Sequence, residues 1–359
     1  MSVEFIGFIG TRLQSEIIAP QAPVLDPAYV EQAARIHEDG GFDRALIAFH
    51  STSPESILVA VHAASVTKRL GLLIAHRPGF TAPTLAARQF ATLDVLTGGR
   101  IALHVITGGN DAELRQDGSY IGKDERYVRT DEYLDIVRRE WTSTTPFDHQ
   151  GTYYQVEQAF SAVKSPPQPH IPVYFGGASD AAIRVAGKHA DVYALWGETY
   201  ARVAELVGRV RAEAARNNRE IRFSLSLRPI LADTEEKAWA KADEILRRAR
   251  DLAARNNSFR KAPPENEGSP RLIAAARQGA RLDKRLWTEI AGLLGAQGNS
   301  TALVGTPEQV ADTLLDYHDL GITTFLIRGF DPLEDAIAYG RDLLPLTREL
   351  IRQRRPRAA

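Results

Sequence analysis

Short apolar segments alternate with amphipathic helical segments along nearly the whole chain, and this alternation limits the fold more than any other feature. The segments between the apolar runs carry helix signals, such as Asp26 as a capping residue followed by Pro27. Parallel strands joined by helices explain such a pattern, because both faces of their sheet are covered. The eight predicted strands comprise residues 3–9, 44–49, 70–76, 100–108, 171–177, 191–197, 221–232 and 323–330.

Eight strands, each followed by a helix, predict a closed (β/α)8 TIM barrel that forms a single domain over residues 1–359. An open, doubly wound sheet is the alternative, and it would carry the motif GxGxxG directly after its first strand. The sequence there reads GFIGTRLQSE, which does not match that motif. We therefore favour the barrel.

One segment, residues 256–300, interrupts the alternation between the seventh and eighth predicted strands. It is rich in proline, glycine, asparagine and basic residues. Long insertions on loops are often functional, and the loops at the C-terminal face of a barrel surround its site. We expect this segment to be a mobile lid, and a passive surface excursion is the alternative.

The composition excludes several kinds of chemistry. The chain contains no cysteine, so it has no disulfide, thiolate nucleophile or cysteine-ligated metal. The net charge of −1 gives no reason to expect nucleic acid or an acidic membrane as a partner. We find no membrane-span-length apolar run and no signal-peptide pattern at the N-terminus, so we expect a cytoplasmic protein.

Arginines lie near the C-terminal ends of four predicted strands, where such barrels place their catalytic residues. They are Arg12, Arg77, Arg228 and Arg328. Guanidinium groups bind phosphate or sulfonate oxygens through paired hydrogen bonds, so these residues predict an anion site. A structural salt bridge is the alternative for any one of them.

The loop formed by Gly176, Gly177, Ala178 and Ser179 follows the fifth predicted strand. Glycines let the backbone approach an anion closely, and free N–H groups at the start of the next helix can bind it. The alternative is an ordinary tight turn in which Ser179 caps the helix.

The histidines form no recognisable metal site. His50, His76 and His104 lie near three strand ends, but HxH and HExxH spacings are absent and no carboxylates cluster with them. We therefore expect no metal. The GxSxG elbow of a serine hydrolase is also absent.

Several longer stretches match one enzyme family in order, including RPGFTAPTLAARQFATLDVLTGGR, PVYFGGASDAA, YALWGE, TALVGTPEQVA and GFDPLEDA. Through them the chain resembles the bacterial luciferase-like flavin monooxygenases and, among these, the alkanesulfonate monooxygenases. The resemblance implies a barrel with an insertion after its seventh strand. It also implies reduced FMN (FMNH2) as cofactor, O2 as co-substrate, and an organosulfonate that is cleaved to sulfite and an aldehyde.

The resemblance further implies a separate NAD(P)H-dependent flavin reductase that supplies FMNH2, and we expect a homodimer or homotetramer. Enzymes of this kind acquire sulfur, which agrees with the lack of cysteine and with Met1 as the single methionine. Two alternatives stay open. One is a dehydrogenase of the same family that uses the deazaflavin F420, and the other is a flavin-binding barrel without catalytic activity.

The resemblance assigns one set of residues to the flavin phosphate or ring. Trp196 is also a catalytic candidate, because it would border the ring. The set comprises His104, Thr107, Tyr127, Gly176, Gly177, Ala178, Ser179 and Trp196.

The substrate positions depart from the family pattern. Ser226 and Arg228 stand where the family has arginine and then histidine, and Arg12 stands where it has histidine. Gln297 lies where a lid arginine is expected, and Arg328 is an addition. The positive charge is thus redistributed, which predicts a sulfonate other than a simple alkanesulfonate.

We expect Arg228 and Arg328, with Arg12 as a third candidate, to bind the sulfonate and to stabilise charge on its oxygens. His50 or His104 is the candidate for proton transfer. A hydroxylated substrate, such as the sugar sulfonate sulfoquinovose, would pair with polar side chains that an alkyl chain leaves unpaired. The polar candidates are His50, Asn110, Gln297 and Asp331.

Overall fold

Eight parallel strands close into a barrel, which confirms the predicted fold class. The computed structural model describes residues 3–21, 23–165, 170–255, 266–296 and 298–354. Each strand lies within a few residues of its predicted position. The barrel strands are β1 (Glu4–Ile9), β2 (Arg44–Ile47), β3 (Gly71–His76), β4 (Ile101–Val105), β7 (Val173–Gly176), β8 (Val192–Trp196), β9 (Arg222–Leu231) and β13 (Ile322–Ile327).

The ring closes because β1 pairs with β2 on one side and with β13 on the other. The order around the barrel is β1-β2-β3-β4-β7-β8-β9-β13. All six residues of β3 are buried, as expected of a strand that is covered on both faces. Inside the barrel, a small apolar cluster includes Ile6, Leu73, Ala102, Tyr174 and Val192.

Helices cover the outside of the barrel and begin at recognisable caps. Asp26 caps the first helix by accepting a hydrogen bond from the Tyr29 N–H, and Pro27 lies in its first turn as predicted. The helices are α1 (Pro27–Asp39), α2 (Ser56–Ser65), α3 (Pro83–Thr97), α4 (Asp111–Gln116), α5 (Lys123–Thr142), α6 (Asp180–His189), α7 (Tyr200–Arg216), α8 (Glu235–Arg255), α9 (Gly268–Gln278), α10 (Glu289–Leu294), α11 (Pro307–Asp319), α12 (Glu334–Ala338) and α13 (Leu344–Arg354).

The five remaining strands lie outside the barrel ring and were not predicted. Two of them, β5 (Phe147–Gln150) and β6 (Gln155–Ala159), form an antiparallel hairpin. The others, β10 (Arg281–Leu282), β11 (Leu286–Trp287) and β12 (Ala302–Gly305), lie between β9 and β13 in the chain. β12 pairs in parallel with the second half of β9, so β9 belongs both to the barrel and to a small outer sheet.

The predicted lid, residues 256–300, contains α9, β10, β11 and α10 in its described part. Residues 256–265 and Gln297 lie outside the described residues. The mobility of the segment and the assignment of the chain to one domain remain predictions. Across the described ranges, no helix has the length and apolar character required to cross a bilayer.

Candidate active site

Two cavities open at the C-terminal ends of the barrel strands. The glycine cavity, named for Gly176 and Gly177 in its lining, has a volume of about 440 Å³. The arginine cavity, lined by Arg12, Arg228 and Arg328, has a volume of about 410 Å³. The cavities are neighbours, because both are lined by Phe8, Asn299 and Arg328.

The glycine cavity brings together all eight residues that the sequence analysis assigned to a cofactor. They come from the ends of β4, β7 and β8 and from the first turns of α5, although they are far apart in sequence. They are His104, Thr107, Tyr127, Gly176, Gly177, Ala178, Ser179 and Trp196.

The loop after β7 is a tight turn that only glycine can form. Gly177 has a φ angle of +138°, and a Cβ atom there would lie 2.7 Å from the Cβ of Ala182. A Cβ on Gly176 would lie 2.9 Å from a backbone carbonyl oxygen of β8. Ser179 caps α6 by accepting a hydrogen bond from the Ala182 N–H at 3.2 Å. All four residues of this loop line the glycine cavity.

His104 is neutral and has an unused polar atom beside the glycine cavity. Burial lowers the pKa of its imidazole to about 4, so the ring carries no charge at neutral pH. Its Nδ1 atom is buried without a hydrogen-bond partner in the described part of the chain. Such orphaned atoms are rare in folded proteins, and a ligand that pairs with one gains stability.

Helix α9, in the predicted lid, contributes Gly268 to the lining of the glycine cavity. A Cβ on Gly268, the first residue of α9, would lie 2.6 Å from the Trp196 ring, so the helix packs directly on that ring. Arg271 donates from Nε to both carboxylate oxygens of Glu198, at 2.9 and 3.0 Å. Burial raises the pKa of Glu198 more than Arg271 lowers it. This clamp fixes α9 over the end of β8.

Glu16 links two arginines of the arginine cavity. Its carboxylate accepts one hydrogen bond from Arg228 and one from Arg328, each at 2.8 Å. Arg228 also donates to the carbonyl oxygen of Gly329 at 2.8 Å, and its guanidinium lies 3.6 Å from the Phe330 ring centroid. We refer to these three charged groups as the Arg228–Glu16–Arg328 cluster.

The two arginines of the cluster differ in exposure. The Arg228 side chain is 1% exposed, whereas 31% of the Arg328 side chain is exposed. Nε and Nη1 of Arg228 and Nε of Arg328 are buried and have no partner among the described residues. The cluster therefore holds unused hydrogen-bond donors, and Arg328 is the side chain that a ligand in either cavity meets.

The cluster carries one net positive charge. Burial opposes ionisation of Glu16, but the two arginines outweigh it and lower the pKa of the carboxyl to about 2. Burial and the charge of Arg228 lower the pKa of Arg328 to about 10, which leaves it protonated at neutral pH. Arg12 adds a third guanidinium, which donates to the Gln14 side chain and to the Gln21 carbonyl oxygen, each at 3.1 Å.

Other predicted residues lie outside both cavities. The His50 side chain is 55% exposed, and its ring contacts Thr52 at 3.1 Å and Glu113 at 3.4 Å. Asp331 is absent from both linings, although its charge adds to burial in raising the pKa of the cavity residue Tyr29 to about 12. Gln297 lies outside the described residues.

Arg77 and Asn110 have structural partners. Arg77 lines the glycine cavity but is 3% exposed and pairs with Glu113 at 2.7 Å, so the salt-bridge interpretation holds for this arginine. Asn110 caps α4 by accepting a hydrogen bond from the Glu113 N–H.

Sequence reasoning missed Glu16 and Asn299. Glu16 lies in the loop after β1, and nothing in that loop indicates that it meets two arginines more than 200 positions away. Asn299 lines both cavities, and its amide nitrogen and oxygen are buried without a partner in the described ranges. Asn299 lies shortly before the buried strand β12, and a prediction of that strand would have pointed to it.

Within the described residues, a single group of side chains has the spacing of a metal site. It consists of Asp131, Asp135 and His189. The Lys188 ammonium already lies 2.9 Å from Asp131 and 2.7 Å from Asp135, so both carboxylates have a cationic partner within the protein. None of the three residues lines either cavity.

Comparisons with known proteins agree with this architecture. The chain is similar in structure to a riboflavin lyase solved with modified FMN and its substrate riboflavin (TM-score 0.79, 22% identity, covering 98% of this chain and 92% of that chain). It is also similar to EDTA monooxygenase from Chelativorans sp. BNC1 (TM-score 0.78, 20% identity, covering 98% and 94%). An F420-dependent secondary alcohol dehydrogenase in complex with an F420–acetone adduct is similar too (TM-score 0.68, 16% identity, covering 97% and 99%). The sequence model of a protein family described as luciferase-like monooxygenase matches residues 3–324, and the chain therefore belongs to that family.

Proposed function

We propose that this protein is an FMNH2- and O2-dependent monooxygenase that releases sulfite and an aldehyde from an organosulfonate. One observation carries the proposal. Three arginines and one glutamate supply the charge of the arginine cavity, which adjoins the cavity that holds every predicted cofactor residue. A site with excess positive charge beside a cofactor cavity suits an anionic substrate.

The residues of the glycine cavity fit FMN. The loop from Gly176 to Ser179 lines the glycine cavity and would hold the phosphate with backbone N–H groups, with Thr107 and Tyr127 in the same lining. Trp196 offers a flat surface to a ring, and the unpartnered Nδ1 of His104 offers a hydrogen bond. Bound FMNH2 would supply the electrons that activate O2. The riboflavin lyase solved with modified FMN supports a flavin in this fold.

Arg328 would bind the sulfonate directly, because it is the exposed member of the cluster. Arg228, which is more deeply buried, would add positive charge next to Arg328. Arg12, in the loop after β1, would add a third guanidinium to the cavity lining. Charge-assisted hydrogen bonds from these groups would stabilise negative charge that develops on the sulfur oxygens. His50 or His104 stays the candidate for proton transfer, and the neutral His104 is the one that lines the glycine cavity.

A hydroxylated substrate such as the sugar sulfonate sulfoquinovose is the form that we favour over an alkanesulfonate. The unpartnered amide of Asn299 would otherwise stay unpaired. Gln297 and Asp331 remain proposed substrate contacts. The arginine cavity is also lined by several neutral polar residues, namely Thr11, Gln14, Ser15, Ser53, Asn299 and Ser300.

We also propose that a separate NAD(P)H-dependent flavin reductase supplies FMNH2, and that the protein is a cytoplasmic homodimer or homotetramer. The lid would exclude water from the reduced flavin and O2, since α9 covers the Trp196 ring.

The test uses purified protein with FMN, a flavin reductase and NADH. Sulfite should appear when sulfoquinovose or an alkanesulfonate is added, above the amount found without a sulfonate. The desulfonation proposal fails if none of these sulfonates yields sulfite above that control. Fluorescence titration with FMNH2 and with reduced F420 separates the alternatives: tighter binding of reduced F420 would favour a dehydrogenase, and FMNH2 binding without turnover would favour a non-catalytic barrel.

A further inference from the structure

Glu16 stands out because it is an acidic residue inside a cavity that we assign to an anion. It lines the arginine cavity with 20% of its side chain exposed. Its two oxygens are taken by Arg228 and Arg328, each at 2.8 Å. A ligand that reaches Arg328 therefore lies within a few ångströms of a fixed negative charge.

The charge balance of the cluster depends on Glu16. Two guanidiniums and one carboxylate leave a single positive charge on the cluster, and Arg12 adds a second positive charge to the cavity lining. Glu16 thus lowers the positive charge of the lining from three to two, and a second negative charge on an oxyanion bound at Arg328 would lie beside the Glu16 carboxylate. Such a charge is unfavourable, because solvent screens it poorly there.

We infer that Glu16 is a specificity-determining residue that adjusts the arginine cavity to singly charged oxyanions, and thereby to sulfonates rather than dianions such as sulfate. This inference rests on the proposed function for the identity of the natural ligand.

The test compares two probes with the same sulfur–oxygen geometry and different charge, namely methanesulfonate and sulfate. Their dissociation constants are measured by calorimetry on the full-length protein, without flavin turnover. The wild type should prefer methanesulfonate. Glu16→Gln keeps the size of the side chain and removes its charge, so the preference should shift towards sulfate by about tenfold or more.

Two further variants keep the inference testable if Glu16→Gln folds poorly. Arg328→Gln removes a positive charge and should shift the ratio of the two dissociation constants the other way. The double variant restores the net charge of the cluster and should return the ratio towards that of the wild type. Glu349→Gln is the matched control, because Glu349 pairs with Arg352 on α13 and lines neither cavity.

An unchanged ratio in Glu16→Gln, or an equal loss of both affinities, would overturn the inference and leave Glu16 as a scaffold for the two arginines. This outcome is distinct from failure of the proposed function. Sulfite release tests the reaction, whereas the ratio of dissociation constants tests the charge of the cavity, so either can fail alone.

Discussion

At the C-terminal ends of β9 and β13, two arginines share the carboxylate of Glu16 but differ in exposure. We expect Arg328→Ala to raise the KM for the sulfonate about tenfold or more, because a hydrogen bond to a charged group contributes about 1.5–3 kcal/mol. We expect Arg228→Ala to affect KM and also to lower the free energy of unfolding by about 3 kcal/mol, because it removes a buried partner of Glu16.

Steady-state kinetics and thermal unfolding of both variants check this difference. Arg202→Ala serves as the control, since Arg202 is an exposed arginine of α7 that pairs with Glu205. Equal effects of Arg228→Ala and Arg328→Ala on both KM and unfolding temperature would contradict the assigned roles.

Asn299 is a second residue with a testable role, because it lines both cavities and its amide has no partner among the described residues. Asn299→Leu keeps a similar volume and removes the hydrogen-bonding groups. The ratio of kcat/KM for a hydroxylated sulfonate to that for an alkanesulfonate should fall about tenfold, in line with about 1–3 kcal/mol for an unpaired buried polar group. A ratio that stays the same would remove Asn299 from substrate selection.

The depressed pKa of Glu16 also predicts a dependence of stability on pH. The pKa falls from 4.5 to about 2 on folding, so ionised Glu16 stabilises the fold above pH 4.5 by on the order of 3 kcal/mol. This contribution is lost as the pH falls from about 4.5 to about 2. Denaturant unfolding across this range should show a steeper loss for the wild type than for Glu16→Gln, and parallel curves would speak against the assignment.

At the scale of elements, α9 is the part of the lid that touches both cavity and barrel. Arg271→Ala removes the bond to Glu198 and should loosen α9 over Trp196. We expect the amount of sulfite formed per NADH consumed to fall about twofold or more, because water reaches the site before the substrate reacts. Lys284→Ala is the control, since Lys284 pairs with Asp312 and Asp316 away from the cavities. An equal ratio of sulfite to NADH in both variants would show that the bond between Arg271 and Glu198 does not control how α9 covers the site.

Elements differ in how well the sequence predicts them. Buried strands such as β3 are continuous apolar runs, and their length separates them from helices. The hairpin strand β6 is largely exposed and polar, and β12 has four residues whose pairing with β9 spans more than 70 positions. Neither leaves a periodic pattern that a local reading can find.

The residues of the candidate site also differ in how well the sequence predicts them. The family resemblance assigned eight residues that line the glycine cavity, and most of them lie near strand ends, which meet at one face of a parallel barrel. The partners of charged side chains were not predictable. Arg77 meets Glu113 and Arg228 meets Glu16, and only the folded chain brings these pairs together.

At the scale of the whole molecule, the chain of 359 residues has one sulfur atom, which belongs to Met1. If the protein acquires sulfur, its synthesis consumes only this one atom per chain of the element that is scarce. We expect its abundance to rise several-fold when a sulfonate replaces sulfate as the only sulfur source, as quantitative proteomics would measure. An equal abundance on both sources would argue against a role in sulfur acquisition.

The double pairing of β9 has a consequence for the exchange of parts between relatives. In β9, residues up to Leu227 pair with β13, whereas Arg228 to Leu231 pair with β12, which precedes β13 in the chain. A chimera that takes residues 256–305, which include β12, from a relative but keeps the native β9 to its end would pair β12 with a β9 from a different protein. A junction after Leu227 preserves this pairing, because Arg228 to Leu231 then come from the same protein as β12.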